Sequence, residues 1–350
     1  MAKPVSENGV SFSMNPKHLL FAAITLAFLS CQSENKSRET KSAATATTAS
    51  GKMKAIVEKA IELDSIPSGS GLVKTGENFY LISDDSPYFF RLDSKFNLLE
   101  KNAIPHYQKS QDYRIQKAIK PDYESAATGE MNGQEYLLAF GSGSKSPERD
   151  SLLLINLNDL KSPQTYSLKP LYDLIKQQAN LPSAELNMEG SAIIGEELYL
   201  FNRGQNVLVQ TNWPKTLLFL TQKAAEPEIK TYRVRLPQIN GIAPGFSGAC
   251  RLGNDNKILF TASVENTKNW IEDGEILGSF IGILDVEKLA EDPLENVALL
   301  TNKNGEPVIE KVESVEFLQL ENNGNLKALC LTDDDQGGSK VLEVTLRQST

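Results

Sequence analysis

Three glutamates hold the same place in three similar segments of the chain. Glu124, Glu189 and Glu313 open the strand-like runs YESAAT, MEGSAI and VESVEF. In the related runs SGSGLV and FSGACR a serine stands there instead, Ser70 or Ser247. Carboxylates brought together in this way can ligate a cation or exchange protons with a bound molecule.

A second set of charged residues stands where the next strand of each segment ends. Its members are Asp84, Asp85, Arg203, Glu265 and Asp333. A single acidic residue at a strand end more often accepts a backbone hydrogen bond or faces solvent, and Glu189 with Arg203 can simply form an ion pair. The recurrence at equivalent positions is what predicts a shared site. Asp273, in the long loop at 264–278, is expected to join it.

The sequence offers few residues for other kinds of catalysis. After the N-terminal leader the chain contains a single histidine, His106, for which we expect no catalytic role. The HExxH zinc pattern and the GxSxG nucleophile elbow are both absent. The remaining chemistries are a carboxylate-bound metal ion that activates water, or binding without a reaction.

The segments that contain these residues repeat at intervals of about 55 to 65 residues, a period that indicates propeller blades. Each begins with an apolar strand, followed by a Gly- or Asn-rich turn such as EMNGQE and a second strand such as EYLLAFG. This pattern predicts antiparallel strands. We expect an all-β fold, a single propeller of five four-stranded blades. Six blades are the alternative, if the region 205–240 contains another.

The two ends of the chain predict how the ring closes. The last repeat finishes with VLEVTL near the C-terminus, while the run AIVEKAIELDSIP precedes the first repeat and has no blade of its own. If this N-terminal run completes the last blade, no strand edge is left bare. The best helical candidate is 170–179. In the third blade, NVLVQ and TLLFL are both candidates for the third strand.

Strand direction predicts where the charged residues meet. The first strand of a blade leaves one face of the ring and the second returns to it, so their polar ends lie together at one mouth of the channel. The longer loops lie on the same side, and long loops on a rigid scaffold commonly carry function. We expect a strongly negative pocket there, with Glu124, Glu189 and Glu313 around its centre, and either a divalent cation such as calcium or a basic ligand to match the charge.

The N-terminus predicts export and lipidation. Lys17 and His18 precede the apolar run 19–29, which ends at Ser30-Cys31 and is too short to span a bilayer. Residues 1–31 are therefore expected to be a lipoprotein signal with a lipid on Cys31, and 32–52 a flexible tether. The propeller would occupy 53–350. We expect anchoring in the cell envelope, in the outer membrane because Gln32 rather than Asp follows the cysteine.

Bulk composition narrows the partners. The formal net charge of -9 argues against nucleic acid, which requires a basic surface. Cys250 and Cys330 lie in strand-like runs and are expected to be small buried apolar residues. The membrane would be reached through the lipid alone.

Two stretches resemble known propellers. MEGSA followed by LYLFNRG resembles the inner strands of the phytase-associated esterase-like group, and residues 259–285 resemble an uncharacterised propeller family of bacterial lipoproteins. The resemblance covers most of residues 55–348. It implies a propeller with a central funnel that binds cations or small molecules.

Two functions follow as hypotheses. In the first, the acidic loop face binds a small molecule, a glycan or a protein. In the alternative, the protein is a metal-dependent hydrolase of phosphoesters or esters, in which Glu124, Glu189, Glu265 and Glu313 serve as metal ligands or general base. Whether the protein is an enzyme is left open by the sequence.

Overall fold

A computed structural model describes residues 53–107, 114–222, 224–267, 274–333 and 337–348. The predicted signal, the tether and Cys31 lie outside these ranges, as does Asp273.

The described residues form five blades of four antiparallel strands. The chain opens with β1 (Met53–Glu62). The first blade is β2 (Gly69–Thr75), β3 (Asn78–Ser83), β4 (Tyr88–Leu92) and β5 (Leu98–Ala103). The second is β6 (Tyr123–Met131), β7 (Gln134–Gly141), β8 (Ser151–Asn156) and β9 (Asp159–Ser167). The third is β10 (Met188–Ile194), β11 (Glu197–Asn202), β12 (Val207–Asn212) and β13 (Lys230–Arg233).

The remaining strands form the last two blades. The fourth blade is β14 (Gly245–Arg251), β15 (Lys257–Asn266), β16 (Glu275–Asp285) and β17 (Leu294–Thr301). The fifth is β18 (Lys311–Leu320), β19 (Leu326–Asp333), β20 (Ser339–Gln348) and β1. The innermost strand of each blade contacts that of the next, and β18 contacts β2, so the ring is closed. The fold is the predicted five-bladed propeller.

The N-terminal strand closes the ring as predicted. β1 pairs antiparallel with β20, with Ala55 opposite Leu346. On its other edge β1 pairs in parallel with β17, where Ala55 lies opposite Leu300, so that the last two blades share one sheet of eight strands. The edges of β20 and β17 are thus both covered.

Side chains are more buried in the inner strands of each blade than in its outermost strand. Strands in the middle of the ring are buried on both faces because neighbouring blades pack against them; in β11, for example, residues 198–201 are all buried. The outermost strand β9 has mostly exposed and half-buried residues. Continuous apolar runs on inner strands and polar outer strands are what this packing requires.

Tight turns join the first two strands of each blade. In the second blade Asn132 and Gly133 both have positive φ, 51° and 71°. This is the backbone of a type I′ hairpin turn, which Asn and Gly adopt with little strain. The EMNGQE motif therefore forms the short turn that the sequence predicted.

The described part of the chain also contains two α-helices, which lie outside the sheets. Helix α1 (Lys169–Ala179) matches the predicted helical segment. Helix α2 (Trp213–Gln222) contains TLLFL, so this candidate third strand was wrong and NVLVQ forms β12 instead. The region 205–240 completes the third blade and does not form a sixth. Among the described residues, no helix is long and apolar enough to cross a membrane.

Each innermost strand has an irregularity near its start. The register with the second strand shifts between Gly69 and Gly71 in the first blade and between Tyr123 and Ser125 in the second. Equivalent shifts occur in the other three blades. The five residues skipped by the register are Ser70, Glu124, Glu189, Ser247 and Glu313. Such β-bulges redirect a side chain and are common beside functional sites.

A small residue follows each bulge because neighbouring blades approach closely there. At Gly248 an added Cβ would lie 2.6 Å from Thr261 Oγ1 and 2.8 Å from the backbone of Ser314 in the next blade. At Gly190 it would lie 2.9 Å from the Cβ of Phe201. In each repeat a Glu or Ser is therefore followed by a Gly or Ser. The first residue forms the bulge, and the second is small because of the close packing after it.

Candidate functional site

A cavity of about 400 Å³ opens where the innermost strands begin. All five blades and the connection between β5 and β6 contribute to its lining. Eight of the nine residues predicted for the site line it: Asp84, Asp85, Glu124, Glu189, Arg203, Glu265, Glu313 and Asp333. The ninth, Asp273, lies outside the described residues. His106 is exposed and does not line the cavity.

The bulged residues form part of the lining, with one exception. Ser70, Glu124, Glu189 and Glu313 all line the cavity. Ser247 does not; it is fully buried, and its hydroxyl lies 3.2 Å from that of Ser263. The bulge repeats in all five blades, but only four of them present the bulged residue to the cavity.

One half of the lining is an ion-pair network across the third and fourth blades. Arg203 Nη1 lies 2.7 Å from Glu189 Oε2, and Arg203 Nη2 lies 2.6 Å from Glu265 Oε1. Asn187 Nδ2 donates to the other oxygen of Glu189 at 2.6 Å. All three charged side chains are at least nine-tenths buried. Burial raises the pKa of Glu189 to about 8, although Arg203 opposes the shift.

The network continues into the fifth blade. Lys311 Nζ lies 3.1 Å from Glu313 Oε1 and 4.0 Å from Glu265 Oε1. Burial raises the pKa of Glu313, while Lys311 and Arg203 oppose the rise. Together the Arg203 and Lys311 side chains hold the three glutamates of this half.

The other half joins the first blade to the β5–β6 connection. Arg114 Nε donates to Asp85 Oδ2 at 2.7 Å. Lys120 forms an ion pair with Asp84 and lies 2.6 Å from Asp122 Oδ1. These side chains place two cations beside three aspartates.

Asp122 is held by further groups. Arg149 Nη1 lies 2.7 Å from Asp122 Oδ2, and Ser142 Oγ donates to the same oxygen at 2.6 Å. Although burial acts in the opposite direction, Lys120 and Arg149 keep the pKa of Asp122 below its usual value. Burial raises the pKa of Asp84 to about 6, despite Lys120.

Glu124 lies between the two halves and differs from the other acids. Among the described residues it forms no ion pair and accepts no hydrogen bond. Burial, with the nearby charges of Asp122 and Asp84, raises its pKa well above the usual value. Burial and these two charges therefore favour the protonated form of the Glu124 carboxyl group, which can both donate and accept hydrogen bonds.

The predicted trio of metal ligands does not come together. Glu189 is bound to Arg203 and Glu313 to Lys311. In the described part of the chain, the ligand atoms of Glu124 lie within 4.8 Å of Asp84 and Asp122 instead. All three predicted residues line the cavity, but Glu189 and Glu313 are each bonded to a cationic side chain from the third or the fifth blade.

The sequence predicted a strongly negative cavity, but cationic side chains stand among its acids. Its described lining contains eight carboxyl groups and six cationic side chains. Five of these cations were not predicted for the site: Arg114, Lys117, Lys120, Arg149 and Lys311. The six cationic side chains therefore offset most of the eight carboxyl groups.

A sequence signal for several of the missed residues did exist. Asp122, Asn187 and Lys311 each stand two residues before a bulged glutamate. Because alternate residues of a strand share a face, a residue two positions before a predicted site glutamate is expected to lie beside it. Arg114 had no such signal, since it lies in an irregular connection.

Comparisons with known proteins give a family and a set of distant structural likenesses. The family described as "Family of unknown function (DUF6929)" matches residues 65–346. No curated protein matches the chain. Three solved structures are similar at low identity. A glutaminyl cyclase of Myxococcus xanthus is 10% identical, with 85% of this chain and 98% of that chain covered and a TM-score of 0.46.

The other two have similar coverage. The PQQ-bound aldose sugar dehydrogenase of Streptomyces coelicolor is 11% identical, with 86% and 100% covered and a TM-score of 0.43. A member of the duf4221 family from Bacteroides vulgatus is 10% identical, with 85% and 99% covered and a TM-score of 0.37.

Proposed function

This chain belongs to the DUF6929 family of unknown function, and we propose that it binds a small, uncharged, hydroxyl-bearing molecule in the cavity at the channel mouth. The observation that supports this most is Glu124. It faces the cavity with no partner among the described residues, whereas Glu189, Glu313 and Asp122 are each bound to a cationic side chain.

The charge balance of the cavity favours a neutral ligand. Burial and the charges of Asp122 and Asp84 raise the pKa of Glu124 and so favour its protonated form. A protonated carboxyl group both donates and accepts hydrogen bonds, as a hydroxyl group does. An ion would enter a buried site whose charges are already matched and would pay for desolvation without a free counter-charge.

The size and composition of the cavity suit a polar molecule of modest size. A volume of about 400 Å³ lies toward the small end of ligand pockets. Among its described lining residues none is aromatic, and Ile115 is the one large apolar side chain. Binding would therefore depend on hydrogen bonds rather than on stacking against a ring.

Calorimetry with the purified protein tests this proposal. The panel would contain monosaccharides and cyclic polyols, with amino acids, amines and dicarboxylates as charged comparisons. We expect binding of a neutral member, loss of binding in Glu124→Ala, and retention in Glu124→Gln, because Gln also donates and accepts. Glu130→Gln, an exposed change at the other end of β6, is the control.

Two results would contradict the proposal. One is binding of charged members alone. The other is binding that Glu124→Ala leaves unchanged, which would place the ligand elsewhere.

The metal-dependent hydrolase is the second candidate, favoured by one observation. Asp84, Asp122 and Glu124 offer carboxylate oxygens within 4.8 Å of one another. These residues do not fit a metal ion as they stand, because the Lys120 ammonium already bonds two of them. Assays with chromogenic phosphoesters and esters, with and without calcium, magnesium and manganese, would support this candidate if turnover depended on the metal and on Glu124.

For localisation we propose export and attachment to the bacterial outer membrane through a lipid on Cys31. Support comes from the apolar run 19–29, the cysteine at its end and Gln32 after it. Labelled fatty acid should enter the wild-type protein and not Cys31→Ser, which should appear in the soluble periplasmic fraction. A wild-type protein found wholly in that fraction would refute the anchor.

A further inference from the structure

Lys120 occupies an unusual position for a lysine. It stands in the connection before β6, yet its side chain is only 13% exposed. Its ammonium forms an ion pair with Asp84 of the first blade and lies 2.6 Å from Oδ1 of Asp122, beside the second blade. Although burial opposes it, the charges of Asp84 and Asp122 raise the pKa of Lys120, so the side chain stays charged.

The acids around this ammonium have the spacing of cation ligands. Carboxylate oxygens of Asp84, Asp122 and Glu124 all lie within 4.8 Å of one another. Oxygen atoms that share one calcium ion lie at about 2.3 to 2.6 Å from it and so at most about 5 Å apart. The three acids thus match the demands of a divalent cation, while a positive group from the chain itself bonds two of them.

We propose that the Lys120 ammonium takes the place of a divalent cation in this cluster, and that Lys120 is the residue that makes the cavity independent of metal. The family resemblance led us to expect a cation in the funnel. Here the Lys120 side chain, in the connection before β6, supplies that positive charge. It thereby links the first blade to the second.

Titration of calcium and terbium into wild type, Lys120→Met and Lys117→Met tests the inference. Lys117 lines the same cavity from the same connection but is exposed, which makes it a matched control. We expect no site in wild type or in Lys117→Met. We expect Lys120→Met to bind one calcium ion per protein molecule with a dissociation constant of about 10⁻⁴ to 10⁻³ M, as for weak extracellular calcium sites.

One further variant completes the experiment. The double variant Lys120→Met/Glu124→Gln should lose the gained site. Wild type that binds one calcium ion through Glu124 would overturn the inference, and so would a folded Lys120→Met that gains no site.

If Lys120→Met does not fold, Lys120→Gln keeps a hydrogen-bonding side chain without the charge and replaces it in the same titration. The wild-type titration alone remains decisive against the inference if a Glu124-dependent site appears. None of these measurements uses the hydroxyl-bearing ligand, so failure of the proposed function and failure of this inference are distinguishable.

Discussion

Arg203 of the third blade bonds Glu265 of the fourth, with 2.6 Å between Nη2 and Oε1. The other arm of the same guanidinium bonds Glu189 at 2.7 Å. One fork thus connects two blades at the channel mouth. A planar guanidinium can bond two carboxylates at once in a fixed geometry. A lysine ammonium can also contact two carboxylates, but it does not fix their geometry.

Removal of the guanidinium should destabilise the fold. Arg203→Met removes the cation that bonds both Glu189 and Glu265, and we expect a loss of about 3 kcal/mol of unfolding free energy, as for other broken buried ion pairs. Urea unfolding measures it. Arg251→Met, an exposed arginine at the end of β14, is the control and should change stability little. Equal losses in the two variants would mean that the network adds no stability.

Stability should fall as the pH rises across the range in which Glu189 keeps its proton. Its folded pKa of about 8 exceeds the reference value of 4.5. Between these values the folded state holds a proton that the unfolded state has lost. The unfolding free energy therefore decreases with pH, at most by about 1.4 kcal/mol per pH unit for one proton.

The comparison with Glu189→Gln isolates this effect, because Gln does not titrate. Relative to wild type, the variant should gain stability from pH 4.5 to about 8 and then level off. Urea unfolding at several pH values gives the difference. A constant difference across this range would show that the folded and unfolded states hold the same charge at Glu189.

Because packing after the bulges is close, replacement of Gly248 should destabilise the fold. In Gly248→Ala the new Cβ meets Thr261 Oγ1 at 2.6 Å and the backbone of Ser314 at 2.8 Å. We expect a loss of about 1 to 3 kcal/mol from overpacking.

The second blade provides the matched control. Ser125 holds the equivalent position, is buried, and its hydroxyl has no hydrogen-bond partner among the described residues. Ser125→Ala should therefore leave stability unchanged or slightly raise it. A Gly248→Ala variant as stable as Ser125→Ala in thermal unfolding would contradict the packing explanation.

Ring closure should be sensitive to one small residue in β1. Ala55 is 1% exposed and pairs with both β20 and β17. Ala55→Asp places an unpaired charge between the last two blades, and we expect a loss of about 3 kcal/mol or more. Lys54→Asp, an exposed change next to it, should cost little. Limited proteolysis that cuts the two variants equally would show that closure does not depend on β1.

Several features could be predicted from sequence because they are local. The five repeats, their Gly- and Asn-rich turns and the N-terminal closing strand all follow from short patterns. The position of Glu124, Glu189 and Glu313 at the starts of equivalent strands follows from the same repeats. Ring symmetry then brings them to one mouth, and the structure places all three on the cavity.

Only the tertiary structure decided which acids pair with which cations. Lys120 reaches Asp84 from the connection between β5 and β6, and Arg203 of the third blade reaches Glu265 of the fourth. The alternation of side chains along a strand tells which face a residue occupies, but not how far it lies from a residue across the channel. Ionisation depends on that distance and on burial. The carboxylates that the sequence predicts as a strongly negative ring therefore alternate with cationic side chains in the folded protein, and Glu124 faces the cavity without an ion pair among the described residues.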